Sequence, residues 1–271
     1  MEVGGAASIP VVRPQDDWPG VHVFCTTRAG GTGSGPFDSL NLGLGAGDDP
    51  DIVLENRRRL RAMLPAEPAW LKQVHGTRVV DADDAVLFTT GSPPPEADAA
   101  VTCRAGCVLA VLTADCLSVV ISDSDGTVLG AAHAGWKGLA AGVLEATFAK
   151  MQSKQPSAKN WRAWVGPGIG ADAFQVGGDV RDAFATESAL QPCLFAPDPL
   201  IPEKWRADLA GLARLRLERM GISRIELSGH CTVTDMTKQL ATGAHVPTFF
   251  SYRRDRQTGR MATLAWLGSG T

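Results

Sequence analysis

The chain has no excess of basic charge: 26 Lys and Arg stand against 29 Asp and Glu, for a net charge of −3 at pH 7. Proteins that bind nucleic acid or membrane surfaces usually carry the opposite balance. Small molecules are therefore the expected partners, with neither nucleic acid nor membrane among them. No apolar run is long enough to cross a bilayer. The most apolar window, residues 107–121, is short and interrupted by Thr113, Asp115 and Ser118. The opening residues MEVGGAASIP carry no basic stretch and no apolar core, so a secretory leader is not expected. The six cysteines have no framework spacing. In a chain of 271 residues that points to reduced thiols and a cytoplasmic setting. Cys103 and Cys107 read as two small buried side chains in paired strands. There is no defensible repeat and no clear linker, so one domain over residues 1–271 is expected, with residues 1–17 as a loose lead-in.

What is present suits a packed core: 44% of residues are hydrophobic and 20% charged. Val21–Thr26 alternates and is rich in β-formers, and Ala29–Gly35 is a glycine-dense loop. Asp48-Asp49-Pro50 is a helix start, with the helix running to about Met63. The spacing predicts buried strands over Cys107–Leu112 and Leu117–Ile121, with Ala114-Asp115-Cys116 as a bend or bulge between them. Asp125-Gly126 is a hairpin turn before a strand over Thr127–His133. Leu144, Phe148 and Met151 share one helical face. Further strands are expected over Trp161–Val165, Ile225–Cys231 and Met261–Leu267, and a helix over Ala207–Met220. Strands and helices in this order describe an α+β fold, with layered mixed β-sheets inside and helices packed outside.

Histidine is scarce, with five in the chain. Three of them, His75, His133 and His230, sit in glycine-flanked turns at strand ends, where rigid scaffolds present side chains to a site. Cys116 lies in the break between two apolar runs. Two imidazoles and a thiolate suit zinc or copper. Three protein ligands leave a fourth position open, as in catalytic zinc sites. A blue-copper site uses the same residue types with a weak axial Met. Met151, the Met nearest to Cys116 and His133 in sequence, falls on a core face, and five histidines are too few for a multicopper centre. Zinc ranks above copper on these grounds.

The chain resembles the YfiH, or laccase-domain, family of multifunctional purine nucleoside enzymes along nearly its whole length. The motifs are Thr27-Arg28, Ser39-Leu40-Asn41-Leu42-Gly43, Asn56-Arg57-Arg58, Lys72-Gln73-Val74-His75-Gly76, Ala97-Asp98-Ala99 and Thr113-Ala114-Asp115-Cys116. They continue with His133-Ala134-Gly135-Trp136-Lys137-Gly138, Cys231-Thr232 and Phe250-Ser251-Tyr252-Arg253-Arg254-Asp255. The resemblance implies an α/β/β/α layered fold and His75, Cys116 and His133 as zinc ligands. It also implies phosphorolysis of adenosine, inosine, guanosine and methylthioadenosine, with adenosine deamination as well. Members were first labelled polyphenol oxidases, and a role in editing peptidoglycan precursors is attributed to bacterial ones. Two departures stand out. Ala171, Asp172, Ala173 and Phe174 occupy positions where relatives often carry cysteines and a tyrosine. Met236–Thr248 makes a longer loop than relatives have.

For such a reaction, phosphate attacks C1′ of the ribose while the purine leaves. Arginine suits phosphate because its planar fork bonds two oxygens at once. Arg28, Arg253 and Arg254 are the candidates for phosphate, and Asn41, Gln73 and Lys137 for ribose, phosphate or base. Asp115 or Asp98 would orient an imidazole or act as general acid/base; Trp136 reads as core. Two rival enzymes share these residues. One is a cysteine hydrolase acting on peptidoglycan precursors, with Cys116 as nucleophile and His75 or His133 as base. The other is a copper-dependent phenol oxidase. Oligomeric state stays open.

Overall fold

The computed structural model describes residues 9–89, 91–239 and 243–268. In chain order the elements begin with β1 (Val11–Val12), β2 (Val21–Thr26), α1 (Pro50–Arg61), β3 (Val79–Asp81), β4 (Ala99–Thr102), β5 (Leu109–Thr113), β6 (Leu117–Ser122) and β7 (Leu129–Ala134). Next come α2 (Trp136–Ala141), α3 (Val143–Lys154), β8 (Arg162–Val165), β9 (Gln175–Val176), α4 (Gly178–Ala183), α5 (Ala185–Leu190), β10 (Phe195–Pro197) and β11 (Trp205–Ala207). The chain closes with α6 (Leu209–Arg219), β12 (Arg224–Leu227), β13 (Met236–Lys238), β14 (His245–Pro247), α7 (Tyr252–Asp255) and β15 (Met261–Leu267).

Two sheets form the centre. One runs β1-β2-β15-β5 and the other β12-β8-β6-β7-β4-β3. Strands β6 and β7 are buried at every position, so both faces of the larger sheet are covered. The period-2 alternation of a strand decides what covers each face. Leu117, Val119 and Ile121 pack with Leu144 and Met151 of α3 and with Leu212 and Leu217 of α6. On the other face Val120, Leu129, Ala131 and Trp164 meet Val23, Cys25, Val111 and Ala265 of the smaller sheet. The smaller sheet's far face, with Phe24, Ala262 and Leu264, packs on Leu60 of α1. The order is helices, sheet, sheet, helix: the expected α/β/β/α layering. One polar contact joins the sheets inside the core, Ser118 Oγ with Thr263 Oγ1 at 2.6 Å.

Local chemistry explains the helices. Asp49 caps α1 by accepting from Asp51 N at 2.9 Å, and Val53, Asn56 and Leu60 form its inner face. Gly142, at φ +97°, ends α2 and opens α3. Leu144, Phe148 and Met151 then turn inward. Among the described residues no helix is long and apolar enough to cross a membrane.

Several expected elements differ. The two apolar runs of residues 107–121 belong to different sheets, so the bend Ala114-Asp115-Cys116 carries the chain from one to the other. Both sheet interiors are apolar, and a sequence pattern cannot tell one buried strand from a second one lying above it. The strand expected to reach Cys231 ends at Leu227. The long segment 236–248 is a hairpin, with Met236 opposite Pro247; residues 240–242 lie outside the described residues. The lead-in is not loose throughout. Residues 1–8 lie outside the described residues, but Ile9 is buried and β1 pairs with β2.

Candidate metal centre

Three distant segments meet at the N-terminal end of β6. His75 comes from the turn before β3, Cys116 from the sheet-crossing bend, and His133 from the end of β7. Their ligand atoms lie within 4.8 Å of one another. Cys116 Sγ stands 3.8 Å from His75 Nε2, and the two imidazoles meet edge to face with centroids 4.7 Å apart. His133 is buried, Cys116 half-buried and His75 exposed, so the cluster opens on one side.

Asp98 builds this arrangement. Its fully buried carboxylate accepts from His133 Nδ1 at 2.8 Å and from the backbone N–H groups of Val74, His75 and Gly76 at 3.2, 2.9 and 2.7 Å. Those three donors hold His75 at φ +62°, a left-handed conformation that costs a non-glycine residue about 1–3 kcal/mol. The bond to Nδ1 sets the His133 tautomer and leaves its other nitrogen for the cluster. Burial works against the Asp98 charge, but the bond from His133 and those from the backbone hold its pKa below the ordinary value.

The remaining charges reinforce one another. Burial alone would raise the Cys116 thiol, yet hydrogen bonds from His133 and His75 lower it to about 6. Burial would likewise lower His133, but Asp98 and Cys116 raise it to about 9. The cluster therefore favours a thiolate, the form of cysteine that binds metal. Gly135 completes the cradle. A Cβ there would come within 2.8 Å of Cys116 Sγ and 2.9 Å of His75 Cδ2. Two nitrogens and one sulfur, an orienting carboxylate and a glycine-cleared wall fit a bound metal ion.

The other predicted residues divide sharply. Asp115 is near in sequence but spends its carboxylate elsewhere: it accepts from Thr232 Oγ1 at 2.7 Å and from Arg253 N at 2.6 Å. It braces the bend at φ +95°, and Asp98 takes the orienting role. Gln73 bonds the backbone of Leu112 through both ends of its amide, at 2.8 Å each. Asn41 is fully buried, with Oδ1 accepting from Gly43 N and Arg260 N and Nδ2 donating to Asp48. Both amides make bonds within the fold, with Asn41 sealed from solvent and Gln73 half-buried. Arg253 Nη1 donates to Ala173 O and Gln175 O. Arg254 bonds Thr232 O, Val233 O, Phe249 O and the carboxylate of Asp255. These two arginines serve as cross-braces between loops. Arg28 donates from Nε to Asp38 O, with its guanidinium 4.8 Å from the Phe250 ring centroid. Lys137 is exposed in the first turn of α2, close in sequence to His133, and Trp136 packs against the core as expected. Arg260 was missed. Burial lowers its pKa against the opposing pull of the Cys116 and Asp115 charges, and only the pairing of β15 with β5 brings it there. Among the described residues all six cysteines are free.

Known proteins share this architecture. A family model described as multi-copper polyphenol oxidoreductase laccase matches residues 22–268. A Pseudomonas aeruginosa protein named purine nucleoside phosphorylase is 44% identical over 254 residues, covering 93% of this chain and 96% of its own. The purine nucleoside phosphorylase YfiH of Escherichia coli is 45% identical over 264 residues, with 95% and 98% covered. A solved Neisseria meningitidis structure superposes with a TM-score of 0.79 at 41% identity, over 96% of this chain and 99% of that one. YlmD from Geobacillus stearothermophilus gives 0.80 at 29% identity, over 96% and 100%. Because the match in sequence and in fold runs almost from end to end, the chain belongs to the YfiH, or laccase-domain, family.

Proposed function

We propose that the protein is a zinc-dependent purine nucleoside phosphorylase. It splits adenosine, inosine or guanosine with phosphate into the free base and ribose 1-phosphate, and methylthioadenosine into adenine and 5-methylthioribose 1-phosphate, and it deaminates adenosine at the same site. The observation that carries an enzyme of this kind is the open His75–Cys116–His133 cluster with Asp98 behind it. The purine nucleoside comes from the names of relatives near 45% identity. Zinc is favoured over copper by the ligand types. Among the described residues there is one such cluster, and a multicopper centre needs more imidazoles than it offers. The reading takes the whole chain as one domain, since both sheets contribute to one site. It places the protein in the cytoplasm, where free cysteines persist.

In this reading His75, Cys116 and His133 hold the ion, which when bound supplies Lewis-acid stabilisation of charge on the substrate. Asp98 keeps the His133 proton on Nδ1. Lys137, exposed in the first turn of α2, donates to a ribose hydroxyl or the departing base. A phosphate oxygen bonds C1′ as the C1′–N9 bond breaks, and the electron pair leaves with the purine, which takes up a proton. The test is inosine or adenosine with phosphate on protein of known metal content, with mass spectrometry for ribose 1-phosphate. Phosphate-dependent formation of that product is expected; hydrolysis to free ribose alone would sink the phosphorylase.

A second reading has its own observation. Cys116, His133 and Asp98 stand in the order of a cysteine hydrolase triad. Such an enzyme, editing peptidoglycan precursors, would survive chelation and die on alkylation of Cys116. A phenol oxidase would instead require added copper and consume dioxygen.

A further inference from the structure

Beside the metal cluster stands an arginine outside the family motifs named above. Arg260 directly precedes β15, and the pairing of Met261 with Thr113 sets it against the Ala114-Asp115-Cys116 bend. Three contacts fix its backbone and stem. Its N–H donates to Asn41 Oδ1 at 2.9 Å, and its carbonyl accepts from Leu42 N at 3.1 Å. Its stem lies on Gly43, where a Cβ would come within 2.6 Å of Arg260 Cγ. The head is only partly used. Nη1 donates to Thr258 O and Gly259 O, both at 2.9 Å, while Nε and Nη2 have no partner among the described residues.

Its neighbours are turned to other work. Arg254 is committed to three carbonyls and Asp255. Arg253 also leaves Nε and Nη2 unpartnered among the described residues, but its head reaches away to Ala173 O and Gln175 O and lies 5.5 Å from the Phe174 ring centroid. Arg28 spends Nε on Asp38 O and lies over the Phe250 ring. Arg260 keeps its Nε–Nη2 edge free at the strand start that faces the bend. A half-buried guanidinium with an unmet pair of donors is costly, and two phosphate oxygens fit the fork of its free edge.

We propose that Arg260 holds the attacking phosphate, two of whose oxygens accept from the free Nε–Nη2 edge beside the His75–Cys116–His133 cluster. Asn41 is the positioning residue that sets Arg260 there, through the Oδ1 bond to its backbone. This assignment rests on the phosphorylase reading and replaces Arg253 and Arg254 as phosphate ligands. It also explains why Asn41 belongs to the site without touching substrate: its buried amide ties the Leu42–Gly43 loop to the start of β15.

The experiment compares the metal-loaded wild type with R260Q, R260K and N41S. Phosphate dependence is measured at saturating inosine, and binding of inorganic phosphate by calorimetry without nucleoside. R260Q is expected to raise KM for phosphate about 10-fold or more, the loss of one or two charge-assisted hydrogen bonds. KM for inosine should stay within about 2-fold. R260K keeps the charge but not the fork and should fall between; it also serves if R260Q folds poorly. N41S should weaken phosphate in the same sense, with a smaller effect on kcat than on KM. Calorimetry should show weaker phosphate binding in R260K at unchanged metal content and melting temperature. If wild type makes ribose 1-phosphate and folded, metal-loaded R260K and R260Q keep its phosphate KM, Arg260 is not the phosphate residue and the phosphorylase stands. If wild type makes no ribose 1-phosphate and binds no inorganic phosphate, both the reading and this assignment fall.

Discussion

At the scale of single residues, the centre depends as much on two residues that need not touch the metal as on the three that do. Gly135 has φ −68° and ψ 160°, a backbone that alanine adopts freely. Its cost as alanine would come from the cluster, because the added Cβ overlaps Cys116 and His75. Gly135→Ala is therefore expected to fold normally and lose metal affinity by about 10-fold or more, the size of effect seen when a ligand's support is disturbed. Competition with a chromogenic chelator measures it; full retention of metal at wild-type affinity would show that the cradle tolerates a methyl. Asp98→Asn keeps the shape but loses the charge that receives four donors. It should weaken metal binding about 10–100-fold and cost about 2 kcal/mol in denaturant unfolding. Asp115 is the contrast. Asp115→Ala is expected to act mainly on stability, since its two acceptor bonds hold Thr232 and Arg253. A variant with unchanged unfolding free energy but no turnover would restore it to the chemistry.

At the scale of elements, the site is held by joints between layers. Helix α3 crosses β7 closely because Gly130 has no side chain; a Cβ there would lie 2.5 Å from Met151 Sδ. At its far end Lys154 donates to Asp81 at 2.7 and 2.8 Å and pairs with Asp83 at 2.9 Å, tying the helix to the edge strand β3. Burial opposes both charges, but for Asp83 the bonds from Thr102, Cys103 and Lys154 win and its pKa is lowered. The two aspartates raise Lys154. The pair's contribution is thus present above the usual carboxylate pKa near 3.8 and lost as the pH falls through the depressed Asp83 value. At the other end it persists below 10.5 and is lost as the pH rises through the raised Lys154 value. Lys154→Met should cost about 1–2 kcal/mol near neutral pH, because the groups are mostly shielded from solvent, and much less once the pH has fallen below the depressed Asp83 value. Urea unfolding at the two pH values reads the difference; an equal loss at both would assign it to packing of the lysine stem instead.

At the scale of the whole molecule, the two sheets are one structural unit for the purposes of the site. Cys116 sits where the chain leaves the smaller sheet, His133 ends a strand of the larger one, and Arg260 enters the smaller one from the opposite direction. A metal ion bound across them would stabilise the native state by mass action, about 2.7 kcal/mol at a free concentration 100 times its Kd. Chelator-stripped protein is expected to melt several degrees lower and to lose nucleoside turnover, with both restored by added zinc. Turnover that persists at undetectable metal content would instead favour the cysteine hydrolase.

Local sequence alone determined a good deal. The β-rich runs Val21–Thr26 and Met261–Leu267, the Asp49-Pro50 start of α1 and the inward face of α3 follow from period, caps and turn residues within a short window. The ligand types and their motifs singled out His75, Cys116 and His133 before any geometry. Only tertiary structure decided the rest. Burial on both faces erased the alternation that would have separated β5 from β6, so the bend at Asp115 became visible as a sheet crossing only when the layers were stacked. Side chains within a motif are alike in sequence whether they face a substrate or a neighbouring carbonyl. The choice of Asp98 over Asp115, the inward use of Asn41 and Gln73, and the arrival of Arg260 beside Cys116 were set by strand pairing between residues far apart in the chain, which no local pattern encodes.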